Sequence, residues 1–243
     1  MREYVARDPR FRMFAAPRSG SCSVLRNTGI DQLTGTEAVI KTERSCRDVC
    51  PMLQLSVFRR RFLVDNKLQC IPGLRRQDSE FSPRALYLAG RVVPLHEPFY
   101  LYRIRQNAVG SSARGHGYFH GDWAAIIRSL LAFHARVSAE PGFDGRISDV
   151  WGRKWTGWIF YWFDPENVRS IPRARRVETL NALFADGFGD FAALMRTMPR
   201  ARRVAGWWVR AFVRHPALRA AAELFFRVYF RLSGVRRGGN GAR

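Results

Sequence analysis

The residues best suited to chemistry in this chain lie in two neighbouring stretches, 75–86 and 97–109. The first stretch carries two acids and the second a Tyr-x-Tyr-Arg-x-Arg pattern; the candidates are Asp78, Glu80, Tyr102, Arg103 and Arg105. A carboxylate can take a proton from a hydroxyl group, and arginines can neutralise a phosphate group. The alternative is structural, because an aspartate also caps helices and arginines also serve as exposed charges on an edge strand.

The order and spacing of these two stretches resemble the acceptor half of family-two glycosyltransferases, which are inverting enzymes with a GT-A fold. In that family an aspartate, usually preceded by a glutamate, begins a helix, and a Tyr-x-Tyr-Arg-x-Arg strand follows. Gln77 stands where the glutamate is usual. The resemblance implies a glycosyltransferase of the hexosyltransferase type. Such an enzyme moves a sugar from a nucleotide-sugar donor to a hydroxyl of a cell-surface polysaccharide or a lipid-linked acceptor.

The same resemblance implies a role for each candidate residue. Asp78 is the general base that takes the proton from the acceptor hydroxyl as it attacks. Glu80 is a second acidic group, and Tyr102 belongs to the substrate-binding strand. Arg103 and Arg105 lie on the basic side of the site, where cations neutralise the departing diphosphate.

A segment near the N-terminus adds to this pattern. Arg26 and Asn27 begin an Arg-Asn-x-Gly motif, and Thr34 and Gly35 follow it after a short interval. In the family a similar stretch leads from a strand into a helix near the nucleotide. The resemblance therefore implies that Arg26 and Asn27 bind the substrate.

The chain departs from the family on the donor side. Family members carry an Asp-x-Asp cluster soon after the Thr-Gly pair, and this cluster holds the Mg²⁺ or Mn²⁺ that clamps the diphosphate. Residues 36–43 contain no paired aspartates, and the βαβ unit that reads the nucleotide base is also missing. The sequence therefore resembles a family member that is truncated at its N-terminus and internally deleted, with no identifiable cofactor-binding residues.

The predicted fold class is α/β. A partial GT-A (Rossmann-like) nucleotide-sugar transferase region is expected at 1–121, and an α-helical C-terminal extension at 122–235. Residues 236–243 are expected to form a disordered tail. The boundary near Gly121 follows from a change of pattern, because helical periodicity dominates from Trp123 onward and strand signals disappear.

Local signals predict individual elements in the first region. A strand is expected at 11–16, an amphipathic helix within 51–68 and short strands within 91–105. Ser82 and Pro83 predict the start of a further helix, since serine favours the N-cap and proline the first turn.

The charge of the chain is extreme, at +21, with 41 basic and 20 acidic residues. Such an excess predicts an anionic partner, and phosphate backbones, lipid headgroups and nucleotide diphosphates all qualify. Residues 196–243 hold twelve arginines and one acid, Glu223, interleaved with aromatic residues. This composition favours an interfacial helix on the anionic inner face of a membrane. Binding of nucleic acid is the competing interpretation, and it is less favoured because no nucleic-acid-binding motif is present.

The sequence disfavours a zinc protein, a secreted protein and a protein that spans a membrane. The four cysteines form no Cys-x-x-Cys pair, which favours reduced structural thiols over a zinc site. The polar start predicts no signal peptide, and no stretch approaches the roughly 18 apolar residues of a membrane span. The expected location is therefore cytoplasmic and peripheral at the inner membrane face.

A further alternative to the enzyme is an inactive, basic protein that binds a membrane surface or a partner.

The aromatic residues at the middle of the chain allow two interpretations. Five of them fall on roughly one helical face: Trp151, Trp155, Trp158, Tyr161 and Trp162. The aromatic core of a helical bundle is favoured over a platform on which a sugar stacks.

Overall fold

The computed structural model describes residues 56–74, 76–92 and 120–232. The chain divides into two compact units, Met1–Asp122 and Trp123–Arg243. The predicted α/β fold class is wrong for the described residues, which form helices and no strand. That prediction took its sheet from the family resemblance and from local strand signals at 11–16 and within 91–105, which lie almost wholly outside the described residues. In the described segments, apolar residues recur with the period of a helix. The helical pattern predicted from Trp123 onward agrees with the structure.

Several predicted elements fall outside the described residues. They are the strand at 11–16, the part of the strands predicted within 91–105 that follows Val92, and the tail at 236–243. Arg91 and Val92, which are described, form no strand. Within 51–68, the helix is shorter than predicted, because α1 spans only Arg60–Asp65.

The second described helix, α2, spans Gln77–Leu88 and corrects the predicted helix start at Ser82. Pro83 lies inside this helix, where it removes one backbone hydrogen bond. Phe81 and Ala85, on either side of it, are almost fully buried. Their burial offsets the cost of the proline, which is why the local signal at Ser82 and Pro83 does not set the boundary.

A small hydrophobic core joins α1 and α2. It contains Leu63, Leu68, Cys70, Phe81 and Ala85, with Phe58, Phe62 and Leu88 packed against it. The ring of Phe58 meets that of Phe81 edge-on at 5.6 Å. The Cys70 side chain is buried in this core, where it packs as a small apolar side chain.

The second unit is a series of helices. Their bounds are α3 His120–Val137, which starts just before the unit, α4 Gly145–Phe160, α5 Pro165–Ser170, α6 Arg173–Leu183, α7 Gly189–Arg196, α8 Arg200–Arg214 and α9 Arg219–Leu232; short 3₁₀ turns lie at Tyr161–Phe163 and Pro216–Leu218. Two starts are capped by aspartates, since Asp144 accepts from the Arg146 amide and Asp164 from the Glu166 amide, each at 2.9 Å. None of the described helices combines the length and the apolar character needed to cross a membrane.

Helix α8 lies at the centre of the second unit and contacts α4, α6, α7 and α9. Its inner face carries Ala205, Val209 and Phe212, all fully buried. The Phe212 ring meets Phe163 edge-on at 4.9 Å, and Phe163 stacks on Phe226 of α9 at 4.2 Å. One aromatic cluster therefore joins the 3₁₀ turn, α8 and α9.

The mid-chain aromatic residues mostly form core. Trp155 and Trp162 are buried, and Trp151 stacks on Trp155 with ring centroids 5.0 Å apart. Trp158 packs against Trp123 at 4.8 Å, whereas Tyr161 is half exposed. The core interpretation accounts for these contacts.

Two glycines of α4 offer a matched test of this packing. A Cβ on Gly152 would lie 2.2 Å from the Met198 methyl, whereas a Cβ on Gly157 would meet nothing within 4 Å. We expect Gly152→Ala to lower the free energy of unfolding by about 1–3 kcal/mol through overpacking. Gly157→Ala should raise it by about 0.5–1 kcal/mol, because alanine favours the helix. Urea titrations followed by circular dichroism measure both, and equal effects would contradict this account of the α4 contact.

Candidate functional site

The structure describes two of the predicted site residues, Asp78 and Glu80, and both lie in the first turn of α2. The other five lie outside the described residues: Arg26, Asn27, Tyr102, Arg103 and Arg105. The described part of the candidate site therefore lies at the start of α2.

Asp78 is half-buried, and its carboxylate accepts few hydrogen bonds from the described residues. Its Oδ1 accepts a hydrogen bond from the Ser79 amide at 2.9 Å. Its Oδ2 has no hydrogen-bond partner among the described residues. Arg76, the residue before the helix, adopts a left-handed conformation with φ of 55°, and its carbonyl also accepts from the Ser79 amide. This turn holds a carboxylate that retains an oxygen able to accept a proton.

Glu80 is in a different environment two residues later. Its side chain is fully buried and lies 2.7 Å from Nε of Arg84, while Nη2 of Arg84 donates to Oε2 at 2.8 Å. The same Nη2 donates to the Gln69 carbonyl at 2.9 Å. Glu80 and Arg84 thus tie α2 to the segment before it. The buried Glu80 carboxylate is therefore closed to an incoming sugar.

Sequence analysis did not single out Arg84, although a signal was available. A glutamate followed by an arginine four residues later forms an ion pair on a helix surface. The predicted helix start at Ser82 placed Glu80 in a turn and obscured that spacing. Once α2 begins at Gln77, the pair lies on one face of the helix.

A buried polar pair in the second unit was also missed. Nε2 of His134 on α3 lies 2.8 Å from Oγ of Ser148 on α4, and both side chains are almost fully buried. Burial lowers the pKa of His134 below its ordinary value, although the nearby Asp190 charge acts in the opposite direction. Aromatic rings of Phe143, Trp151 and Trp155 surround the imidazole. The pair joins two helices and is closed to a substrate.

Metal binding finds no support within 56–74, 76–92 and 120–232. No group of three or more His, Cys, Asp or Glu side chains in these ranges could hold a metal ion.

Comparison with known proteins gave no match. No family model, no curated protein and no solved structure is similar to this chain. The resemblance to family-two glycosyltransferases therefore stays a prediction from the residues.

Removal of Arg84 tests the contact that fixes Glu80. We expect Arg84→Met to destabilise α2 by about 3 kcal/mol, because it leaves a buried carboxylate without its guanidinium. Arg61→Met is the control, since Arg61 and Asp65 form an exposed pair with the same spacing. Its effect should stay below about 0.5 kcal/mol. Hydrogen exchange of the α2 amides measures the loss, and similar losses in both variants would refute a structural role for the buried pair.

The buried imidazole predicts a pH dependence of stability. Because the folded-state pKa of His134 lies below the ordinary value of 6.5, the unfolded chain takes up the proton first as the pH falls. Stability should therefore decrease below about pH 6.5. Urea midpoints at about pH 7.5 and about pH 5.5 should differ less in His134→Gln than in the wild type. The exposed His215 serves as control, and an equal change in His215→Gln would count against the assignment.

Proposed function

We propose that the chain transfers a sugar from a nucleotide-sugar donor to a hydroxyl of a polysaccharide or lipid-linked acceptor, with Asp78 as the general base. The observation that carries the proposal is the difference between the two acids of the first α2 turn. Asp78 keeps one carboxylate oxygen without a partner among the described residues, whereas Glu80 is buried against Arg84. A base must reach its substrate, and of these two acids the half-buried Asp78 fits that condition better than the fully buried Glu80.

The proposed reaction is a single displacement at the anomeric carbon of the donor sugar. The acceptor hydroxyl oxygen bonds to the anomeric carbon on the face opposite the diphosphate, and the bond from that carbon to the diphosphate oxygen breaks. Asp78 takes the hydroxyl proton as this bond forms. Inversion at the anomeric carbon follows from the direction of attack. By resemblance, Arg103 and Arg105 neutralise the diphosphate as it leaves.

Asp78→Asn separates the role of a base from a role in helix capping. The amide keeps the oxygen that accepts from the Ser79 amide but cannot take a proton. We expect release of nucleoside diphosphate from UDP- or GDP-sugars, with Mn²⁺ present, to fall at least about 100-fold. Calorimetric affinity for the donor should change little, because the base acts on the acceptor.

Asp65→Asn is the matched control, since Asp65 is an exposed acid at the end of α1. It should leave turnover unchanged. An absence of heat in the calorimeter at millimolar donor, or full turnover in Asp78→Asn, would overturn the proposal.

A further inference from the structure

The outer surface of α8 and α9 concentrates exposed apolar side chains. Five of the nine large hydrophobic residues exposed within the described ranges lie on these two helices: Val204, Trp207, Leu224, Val228 and Leu232. Trp207 is 56% exposed and Leu232 is 82% exposed. These five residues, with the exposed arginines beside them, are called the α8–α9 surface.

The apolar residues of the α8–α9 surface follow the helical repeat. Leu224, Val228 and Leu232 are spaced by four and form one stripe along α9. Val204 and Trp207 are three residues apart and lie together on α8. Each helix therefore presents an apolar stripe to the outside rather than isolated side chains.

An aromatic stack connects the two stripes. Trp208 of α8 and Phe225 of α9 stack with ring centroids 5.4 Å apart. Val204 precedes Trp208 by four residues, and Phe225 precedes Val228 by three, so each stripe borders one ring of the stack. The apolar region is thus continuous across the hairpin of α8 and α9.

Arginines without acidic partners flank this apolar region. Arg203, Arg210 and Arg214 precede or follow Trp207 at helical spacing and lie on its side of α8. Exposed arginines also include Arg200, Arg227 and Arg231. None of the six lies within ion-pair distance of a carboxylate among the described residues. Arg210 and Arg214 instead lie over the Phe188 ring, at 5.8 and 5.1 Å.

The only acid between residues 196 and 232 does not neutralise this surface. Glu223 is the residue in question, and its side chain is 11% exposed. It pairs with Arg173 and Arg176 of α6, on the inner side of α9. The α8–α9 surface therefore combines exposed aliphatic and aromatic groups with unpaired cations.

We propose that the α8–α9 surface docks on an anionic phospholipid membrane. Trp207 and the α9 stripe enter the interface between headgroups and acyl chains, and the arginines bind lipid phosphates. A polynucleotide would satisfy the arginines and stack on Trp207, but it offers nothing to Leu224, Val228 and Leu232. A second copy of the chain would bring two arginine-rich surfaces together. Docking does not require sugar transfer, so either proposal can fail alone.

Vesicle flotation of the full chain tests the docking. We expect at least about tenfold stronger partitioning into vesicles with about one third phosphatidylglycerol than into pure phosphatidylcholine. Added salt should weaken it, because the arginine contribution is screened. Equal partitioning into both kinds of vesicle, or none into either, would overturn the proposal whatever the variants do.

Two double variants locate the contact on the α8–α9 surface. Leu224→Ser/Val228→Ser should weaken partitioning about tenfold by removing the apolar stripe. Arg203→Gln/Arg210→Gln should weaken it about tenfold by removing two cations. The controls are Val150→Ser, an exposed valine of α4, and Arg136→Gln/Arg169→Gln, two exposed arginines elsewhere in the unit.

The controls should partition as the wild type does, and circular dichroism establishes that each variant is folded. Losses in the controls equal to those in the test variants would contradict docking through α8 and α9. Tight, salt-sensitive binding of DNA without binding to vesicles would favour a polynucleotide and overturn the lipid assignment. Dimerisation that abolishes vesicle binding would assign the surface to a second copy.

Discussion

The helical unit depends on one buried ion pair that joins helices distant in sequence. Arg176 of α6 is 2% exposed and donates to Glu223 of α9 at 2.5 Å, and Arg173 donates to the same carboxylate at 2.6 Å. Burial raises the pKa of Glu223, but the hydrogen bonds from Arg173 and Arg176 outweigh it and hold the pKa below its ordinary value. The Arg176 guanidinium also lies 5.6 Å from the centre of the Phe212 ring. A buried pair of this kind is costly to break, because either partner alone would be an uncompensated charge.

This pair also determines which surface remains cationic. Because Glu223 pairs with Arg173 and Arg176 of α6, Arg227 and Arg231 of α9 stay exposed without an ion pair among the described residues, beside an exposed aliphatic stripe. The stacking of Phe163 on Phe226 holds the inner side of α9 against the core. The contact with α6 thus engages the only acid between residues 196 and 232, while the exposed arginines of α8 and α9 form no ion pair among the described residues. On the α8–α9 surface, the positive charges produce an electrostatic field that attracts an anionic partner.

A buried ion pair also forms in the first unit, but there both partners lie on a single helix, α2. Glu80 and Arg84 form a buried pair four residues apart, whereas the half-buried Asp78 has one carboxylate oxygen without a partner among the described residues. The spacing of this pair could be predicted from the sequence, since such pairs recur on helices. The pair between Arg176 and Glu223 could not, because 47 residues separate its members. Only contact between α6 and α9 brings them together.

The sequence by itself determined the charge excess, the helical periodicity from Trp123 onward and the presence of a helical segment close to Asp78. It did not determine the start of α2, because the burial of Phe81 and Ala85 outweighs the local preference of Pro83 for a first turn. It also did not distinguish the buried Trp155 from the exposed Trp207, although both lie in amphipathic helices rich in aromatic residues. Periodicity defines the faces of a helix, but the neighbouring helices decide which face is covered. Only the tertiary structure therefore decided which side chains are buried. It thereby decided which acids and aromatic residues stabilise the core and which are exposed.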